Sequence, residues 1–541
     1  MWKRVRVGFV IATLALTFAT CQAETSSSPQ AVASKIDTLV AERWTADKIT
    51  PTGPSDDAEF CRRVYLDICG RIPPTAEVRD FLDDTTPDKR AKLVDRLLDS
   101  PTYIVNYTNV WRAIMLPESS SDETIRFLLP GFEAWLRSRL AENRNFAQIA
   151  EEMLTLPLNA TAMTDFQQPE QPSPLAFYRA KQGKPEEIAG ASARMFLGVR
   201  IECAQCHNHP FDKWKREEFW SYAAFFKDTA AMPVPPNAIE VVLNAVTGTV
   251  PPDAHTIKIP DTEIVVPTRF LGGAEPDWKQ TPDSRANLAQ WIISKDNPYF
   301  AKAAVNRVWA HHFGIGIVDP VDDFGMNNPP SHPEILDLLA KEFVAREYDF
   351  KFLIRTITST QTYQLSSMRT DESQDNPRQF ARMPVRGLTA EQIFDSLAQA
   401  TGYLQPFDPE QTLNFNQDPA RQEFLETFET DTGIERQSTI LQALALMNGT
   451  FASDATSVQE ILRARNDKNG TLIAIAEAPF FTPEQRVEAL FLATLSRFPS
   501  EAEKSRFLDH LKDHEASDVP ARPLADLFWT LLNTTEFLSN H

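Results

Sequence analysis

Hydrophobic residues recur every three or four positions along most of the chain, which places them on one face of an α-helix. Segments 81–98 and 132–140 show this spacing clearly. The same pattern predicts further helices in the second half, at residues 286–293, 303–312, 332–346 and 350–358. Helical spacing returns from residue 436 to the end. The sequence therefore predicts a mainly α, multi-helical protein.

Residues 229–283 interrupt this pattern with many prolines and short runs of β-branched residues, at 239–243, 256–259 and 263–266. Such runs between turn-forming residues are typical of β-hairpins. Residues 157–174 and 404–434 show neither pattern, and we expect them to be loops.

A chain of 541 residues is too long for one compact core. We therefore predict two helical modules, at residues 35–228 and 284–541, with a small β-rich insert at 229–283 between them.

The first residues have the features of an export signal. Lys3, Arg4 and Arg6 precede an uncharged apolar run, and Ala23 provides a cleavage position. We predict a signal peptide at 1–23, a linker at 24–34, and export to the periplasm or cell envelope. The alternative is a lipoprotein acylated at Cys21, and only in that case do we expect membrane attachment.

One segment of the chain occurs twice. Residues 66–77 resemble residues 492–503, and a Phe-Leu pair follows each copy. In each copy we expect a helix to end at Gly70 or Ser496 and the next to be capped by Thr75 or Ser500. Two similar helical hairpins therefore bracket the chain.

The overall charge limits the partners. The net charge of −20 and the pI of about 5.0 argue against nucleic acid as a partner, because binding to it requires a basic surface.

Cys61 and Cys69 are eight positions apart in a predicted helix, roughly 12 Å along its axis. This is too far for a disulfide, so we expect two buried thiols.

The segment Glu202-Cys-Ala-Gln-Cys-His-Asn-His-Pro210 contains the C-x-x-C-H pattern of c-type haem attachment. Cys203 and Cys206 lie on one turn, where each thiol can add to one vinyl group of haem. His207 follows directly and can bind the iron as its proximal ligand. Five cysteines and nine histidines make a chance occurrence rare.

Three alternatives remain open for this motif. Cys203 and Cys206 could form a disulfide in a non-catalytic scaffold, or a redox-active dithiol. The same thiols with His207 and His209 could bind zinc or iron, with further ligands from elsewhere. A metal-dependent envelope enzyme is the third alternative, with candidate metal ligands His207, His209, Asp212, His311 and His332.

Aromatic residues surround the motif, at positions 196, 211, 214, 219, 220, 225 and 226. They predict a hydrophobic core that could also border a cofactor. The sixth ligand of a haem iron cannot be deduced from the sequence. The candidates are Met195, Met232, Met326, His311, His312 and His332.

Long motifs give the chain a family resemblance. Phe60-Cys-Arg-Arg-Val-Tyr-Leu-Asp67 and the segment 196–212 resemble the planctomycete cytochrome-c-like domain of unknown function. Val305-Asn-Arg-Val-Trp-Ala-His-His-Phe-Gly314 and Gln361-Thr-Tyr-Gln-Leu-Ser366 are similar to the domain that habitually follows it. The resemblance implies an exported protein with covalent haem at Cys203, Cys206 and His207. It implies no particular reaction, and we expect a redox or electron-transfer role with a redox partner or neighbouring envelope protein.

Overall fold

The computed structural model describes residues 27–120, 122–158, 171–231, 255–403, 418–428, 449–456, 469–514 and 521–541. Helices dominate these residues, and two short antiparallel sheets complete them, so the mainly α prediction is confirmed. The predicted signal peptide, Cys21, Met232 and the run 239–243 lie outside the described residues.

The α-helices of the first module are α1 (Pro29–Asp47), α2 (Asp57–Cys69), α3 (Thr75–Asp83), α4 (Lys89–Leu98), α5 (Pro101–Met115), α6 (Glu123–Ala141), α7 (Phe146–Leu154), α8 (Leu175–Ala180), α9 (Pro185–Ser192) and α10 (Arg216–Ala223). Those of the second are α11 (Ser284–Ile293), α12 (Phe300–Phe313), α13 (Pro333–Ala345), α14 (Phe350–Thr358), α15 (Ala390–Thr401), α16 (Pro419–Phe428), α17 (Thr450–Thr456), α18 (Gly470–Glu477), α19 (Pro483–Thr494), α20 (Glu501–Asp513) and α21 (Arg522–Leu532).

Two helices lie where the sequence predicted irregular structure. Helix α1 begins inside the expected linker, because Ser28 accepts a hydrogen bond from the Ala31 amide and Pro29 fits the first turn. Helix α16 lies inside the loop predicted for residues 404–434. The four helices predicted between residues 286 and 358 are α11 to α14, within a few residues at each end.

The two sheets are short hairpin-like pairs. Strands β1 (Thr256–Lys258) and β2 (Val265–Pro267) are antiparallel, with Ile257 opposite Val266, and they confirm a β-hairpin in the insert. Strands β3 (Arg386–Gly387) and β4 (Ser539–Asn540) are also antiparallel. The second pair joins segments about 150 residues apart, which periodicity alone does not predict.

The hydrophobic packing does not follow the sequence boundaries of the two modules. One core unites α1 to α14 with residues of the β-rich insert. Within it, the rings of Phe146 on α7 and Phe300 on α12 stack with centroids 5.0 Å apart. The second core contains α15 to α21 together with Leu66 and Ile72 from the α2–α3 hairpin. The packing therefore changes near residue 385.

Helix α2 carries buried polar residues that connect both cores. Arg62 is fully buried and donates to the carbonyl oxygens of Thr494 and Phe537, at 3.0 and 2.8 Å. Arg63 is also buried, and it donates to the carbonyl oxygens of Tyr363 and Leu365 at 2.6 and 2.9 Å. The sequence of α2 therefore fixes the positions of segments more than 290 residues away.

Asp67, on the same helix, has its carboxylate almost entirely shielded from water. It accepts from Arg386 at 2.9 and 3.1 Å, from the Tyr363 hydroxyl at 2.7 Å and from the Asn540 amide at 2.8 Å. Burial acts to raise the pKa of Asp67, but the positive charge of Arg386, further charge from the histidines of α12 and the Tyr363 hydrogen bond outweigh it and lower the pKa.

The duplicated hairpins are α2–α3 and α19–α20. Ser500 caps α20 in a reciprocal capping box with Glu503, as predicted. The prediction for Thr75 was wrong, because Thr75 is the first helical residue and Pro74 occupies the cap without a side-chain hydrogen bond. Counting from Gly70 and Ser496, Pro74 and Ser500 are equivalent positions, so both helices begin at the same point of the repeat.

We expect Asp67→Ala to lower the free energy of unfolding by about 3–5 kcal/mol, because Arg386 stays buried without its anion. The matched control is Asp99→Ala, which removes an exposed ion pair with Lys351. That change should cost at most about 1 kcal/mol. Urea unfolding followed by circular dichroism measures both values, and equal values for the two variants would contradict the assigned role of Asp67.

Candidate functional site

The cysteine motif lies on a tight turn of the surface of the larger core. Helix α9 continues into a single π-helical turn, Ala193–Leu197, which ends at Gly198. A 3-10 turn, Glu202–Gln205, then carries Cys203 and is followed directly by Cys206 and His207. Cys203 therefore lies within the turn, and Cys206 and His207 are the first residues after it.

Helix α10 holds this turn in place. The Trp220 indole donates to the Gln205 carbonyl at 3.0 Å, and the Arg216 amide donates to the Asn208 side chain at 3.0 Å. The His209 amide donates to the Trp214 carbonyl at 2.8 Å. These bonds fix the backbone on both sides of His207 without using its side chain.

Close packing against α9 requires a glycine. A Cβ atom at Gly190 would lie 2.8 Å from Cγ of Glu202, the residue before Cys203. The absence of a side chain at this position therefore allows the cysteine turn to approach α9.

Cys203, Cys206 and His207 are all exposed, and both thiols are free. Cys61 and Cys69 are buried and free, which confirms the prediction for them. Burial raises the pKa of the Cys61 thiol to about 12, so this group stays protonated and unreactive. The two cysteine pairs thus have opposite environments.

The His207 ring has a defined hydrogen bond. Its Nδ1 lies 2.9 Å from the Asn208 carbonyl oxygen, which can only accept, so Nδ1 carries the proton and donates. In the neutral ring this leaves Nε2 with the free lone pair. Metal-binding histidines commonly donate their second ring nitrogen to a backbone carbonyl in this way.

The other predicted metal ligands have separate environments. Among the described residues, no group of three or more His, Cys, Asp or Glu side chains is arranged to bind one ion. His209 Nδ1 accepts from the Phe211 amide at 3.2 Å, and Asp212 accepts from the Lys213 amide at 2.6 Å. His209, Asp212, His311 and His332 therefore do not converge in this structure.

The histidines of α12 and α13 belong to the interior. His311 Nε2 donates to the Asp67 carbonyl at 2.8 Å, and His312 is fully buried with Nδ1 donating to Val308. His332 packs beside Phe380, and burial, with a smaller effect of Arg43, lowers its pKa to about 4. These side chains contribute to packing around α12.

Most aromatic residues near the motif form core rather than a pocket wall. The buried ones are Phe196, Trp214, Phe219, Trp220, Phe225 and Phe226. Phe211 differs, since 74% of its surface is exposed.

Sequence reasoning missed a segment that lies against the motif. Residues 322–328, more than 110 positions later, contact the residues on both sides of the motif at three points. Arg200 pairs with Asp322 at 2.5 Å, the Phe324 amide donates to the Gly198 carbonyl at 2.8 Å, and the Asn327 amide donates to the Phe211 carbonyl at 3.3 Å. No local pattern in the sequence signals this contact.

The comparisons with known proteins find two matching family models. Residues 35–231 match PSCyt2, a protein of unknown function (DUF1549), and residues 284–511 match PSD1, a protein of unknown function (DUF1553). The chain thus carries two domains of unknown function in the predicted order. No curated protein and no solved structure matches the chain.

We expect a thiol reagent to modify Cys203 and Cys206 in the folded, haem-free chain, because both side chains are exposed. Cys61 and Cys69 should react only after unfolding. Mass spectrometry of peptides from a chain beginning at residue 24, labelled before and after denaturation, measures this. Rapid labelling of Cys61 in the folded chain would contradict the assigned burial.

We expect Gly198→Ala to destabilise the protein by at least about 1–2 kcal/mol, the cost of a left-handed backbone for a residue with a Cβ atom. Gly198 has φ of 66°, and its Cβ would lie 2.7 Å from the Phe324 ring. Gly53→Ala is the control, since a Cβ atom added there would have nothing within 4 Å. Thermal unfolding compares the two, and an unchanged midpoint for Gly198→Ala would contradict the close packing of Phe324.

Proposed function

We propose that this chain is an exported cell-envelope protein that carries one c-type haem, bound through Cys203 and Cys206, with His207 as proximal ligand. Its role is redox or electron transfer. The observation that carries the proposal is the exposed turn on which two free thiols are followed directly by an imidazole whose Nδ1 donates to the Asn208 carbonyl. The two family descriptions name no reaction, so they neither add to nor limit this role.

The arrangement of side chains favours haem over a metal ion without porphyrin. A zinc site needs about four protein ligands directed at one point. The described residues offer no group of three that converges in this way. A c-type haem takes a single iron ligand from this turn, while the thiols bond to carbon atoms at the edge of the ring. Two exposed, free thiols three positions apart suit that chemistry.

The addition of the two thiols to the vinyl groups of haem consumes no other reactant. Each thiol adds across one vinyl double bond, so that sulfur bonds to one carbon and the thiol hydrogen passes to the other. The mass of the product is then the sum of chain and haem. When bound, haem supplies one-electron chemistry at its iron.

Neighbouring residues of the chain orient the His207 ring and the backbone of the cysteine turn. The Asn208 carbonyl fixes the His207 ring, and α10 fixes the backbone of the turn through Trp220 and Arg216. Such an outer hydrogen bond also makes a ligating imidazole more basic. Nε2 of His207 would then be the atom that holds the haem iron.

Location and partners follow from the N-terminal signal and the charge. We infer that the protein is located in the periplasm or cell envelope. Its partner is a redox protein or a neighbouring envelope protein, and it does not bind nucleic acid. Among the described helices, none has the length and apolar character to cross a bilayer. Membrane attachment would require acylation of Cys21, the lipoprotein alternative.

We expect the full chain, exported by cells that attach c-type haem, to keep its haem through denaturing electrophoresis and to show an α band in the reduced-minus-oxidised spectrum. Cys203→Ala combined with Cys206→Ala should abolish the covalent stain, because no thioether can form. His209→Ala is the matched control in the same loop and should retain it.

Two results would contradict the haem proposal and favour the alternatives. Zinc or iron bound without porphyrin would indicate a metal site that includes Cys203, Cys206 and His207. A mass two hydrogens below that of the reduced chain, with no cofactor, would indicate a Cys203–Cys206 disulfide in a scaffold.

A further inference from the structure

Arg307, on α12, is a mostly buried arginine that forms no ion pair with any described residue. Burial lowers the pKa of its guanidinium to about 10, so the group is still charged at neutral pH. Its Nε is shielded from water and has no hydrogen-bond partner. Nη2 donates to the Arg194 carbonyl at 2.8 Å, which uses one of the five N–H groups of a guanidinium. A buried charge without an anion is costly, so we expect a further partner.

The bond from Arg307 to Arg194 has a structural reason in the single π-helical turn that follows α9. The turn closes with two amides, those of Gly198 and Val199, on the Ala193 carbonyl. The next carbonyl, that of Arg194, is thus left to Arg307. This contact explains one donor of Arg307. It does not explain the charge, because a neutral donor would serve the same carbonyl.

The Arg194 side chain places a second guanidinium nearby. Its ion-pair partners among the described residues are Glu202 at 3.8 Å and Asp322 at 4.0 Å, both too far for a direct hydrogen bond. The side chain is 38% exposed, so an ion from solution can reach it. In addition to burial, its positive charge lowers the pKa of Arg307. Two charged groups with unused donors therefore lie close together.

The charges around Arg307 are unbalanced. Those that act on it belong to Asp322, Arg194 and Arg200. Three guanidinium groups therefore share one carboxylate. Arg200 already occupies that carboxylate, since its Nη2 and Nε donate to one oxygen of Asp322 at 2.5 and 3.0 Å. Arg194 and Arg307 are left without an anion at hydrogen-bond distance.

Two further carboxylates lie at the edge of this cluster. Glu202 is the residue 3.8 Å from Arg194, and the charge of Asp323 acts on Arg200. Neither is among the charges that shift the pKa of Arg307. The excess of positive charge is therefore local to Arg307, in a chain whose net charge is −20.

We propose that Arg194, Arg200 and Arg307 form a binding site for an oxyanion of the phosphate class, either free phosphate or a phosphate ester. Planar guanidinium groups bind phosphate oxygens through paired N–H donors. A phosphate group carries about −1.5 to −2 charges at pH 7, which suits more than one unpaired guanidinium better than a carboxylate does. The ion would accept from donors of Arg194 and Arg307 that the chain leaves unused. Glu202 directly precedes Cys203, so the site lies beside the cysteine turn.

The test is a calorimetric titration of the full exported chain with inorganic phosphate at fixed ionic strength. Arg194→Gln removes one guanidinium and keeps the backbone carbonyl that Arg307 uses. We expect it to weaken phosphate binding at least about tenfold, through the loss of a charged hydrogen bond. Arg369→Gln is the matched control, because this side chain is 50% exposed and paired with Asp375. It should bind phosphate as the wild type does.

Asp322→Asn provides a variant with the opposite effect. We expect it to strengthen phosphate binding at least about threefold, because it removes the competing negative charge and releases Arg200. A disturbed fold would weaken binding instead, so this gain distinguishes a binding site from a purely structural cluster.

Three outcomes would overturn the proposal. They are the absence of saturable phosphate binding by the wild type, an unchanged affinity in Arg194→Gln, and binding of acetate as tight as that of phosphate. Methyl phosphate then distinguishes the two sources: tighter binding than inorganic phosphate supports an ester, and weaker binding supports the free ion. None of these measurements requires haem, so their failure would leave the function proposed above unaffected.

Discussion

The buried carboxylate of Asp67 is the interaction on which the remainder of the structure depends. A buried anion is costly unless it is paired and fully hydrogen-bonded. Here Arg386, Tyr363 and Asn540 supply the partners, and each comes from a different part of the chain. With Arg62 and Arg63 on the same helix, Asp67 joins α2 to the second core. The two cores are therefore joined through α2, while the cysteine turn lies on the larger of them.

Much of the helical fold could be predicted because its signals are local. Apolar spacing located α11 to α14, and Ser500 was recognisable as a cap. The helical start of α1 was missed because the polar composition around Ser28 resembles a linker. The division of the cores was missed for another reason: contacts such as Phe146 with Phe300 join residues far apart in sequence.

The candidate site, like the fold, could be predicted only where its signals are local in the sequence. The spacing of Cys203, Cys206 and His207 was evident from the sequence, since the chemistry lies within five residues. Their exposure and the role of Asn208 as acceptor for His207 depend on how α10 packs. The neighbouring segment 322–328 has no sequence signal, because tertiary packing alone brings it to Gly198 and Phe211. His311 was a candidate ligand by residue type, yet its Nε2 serves the Asp67 carbonyl.

We propose that the turn at Cys203, Cys206 and His207 carries a covalent porphyrin. The most direct measurement is the intact mass of the mature protein isolated from its native envelope, together with the mass of the peptide that spans the motif. We expect a gain in mass equal to one haem, located on that peptide. A peptide with two unmodified thiols, or with a disulfide between them, would contradict the claim.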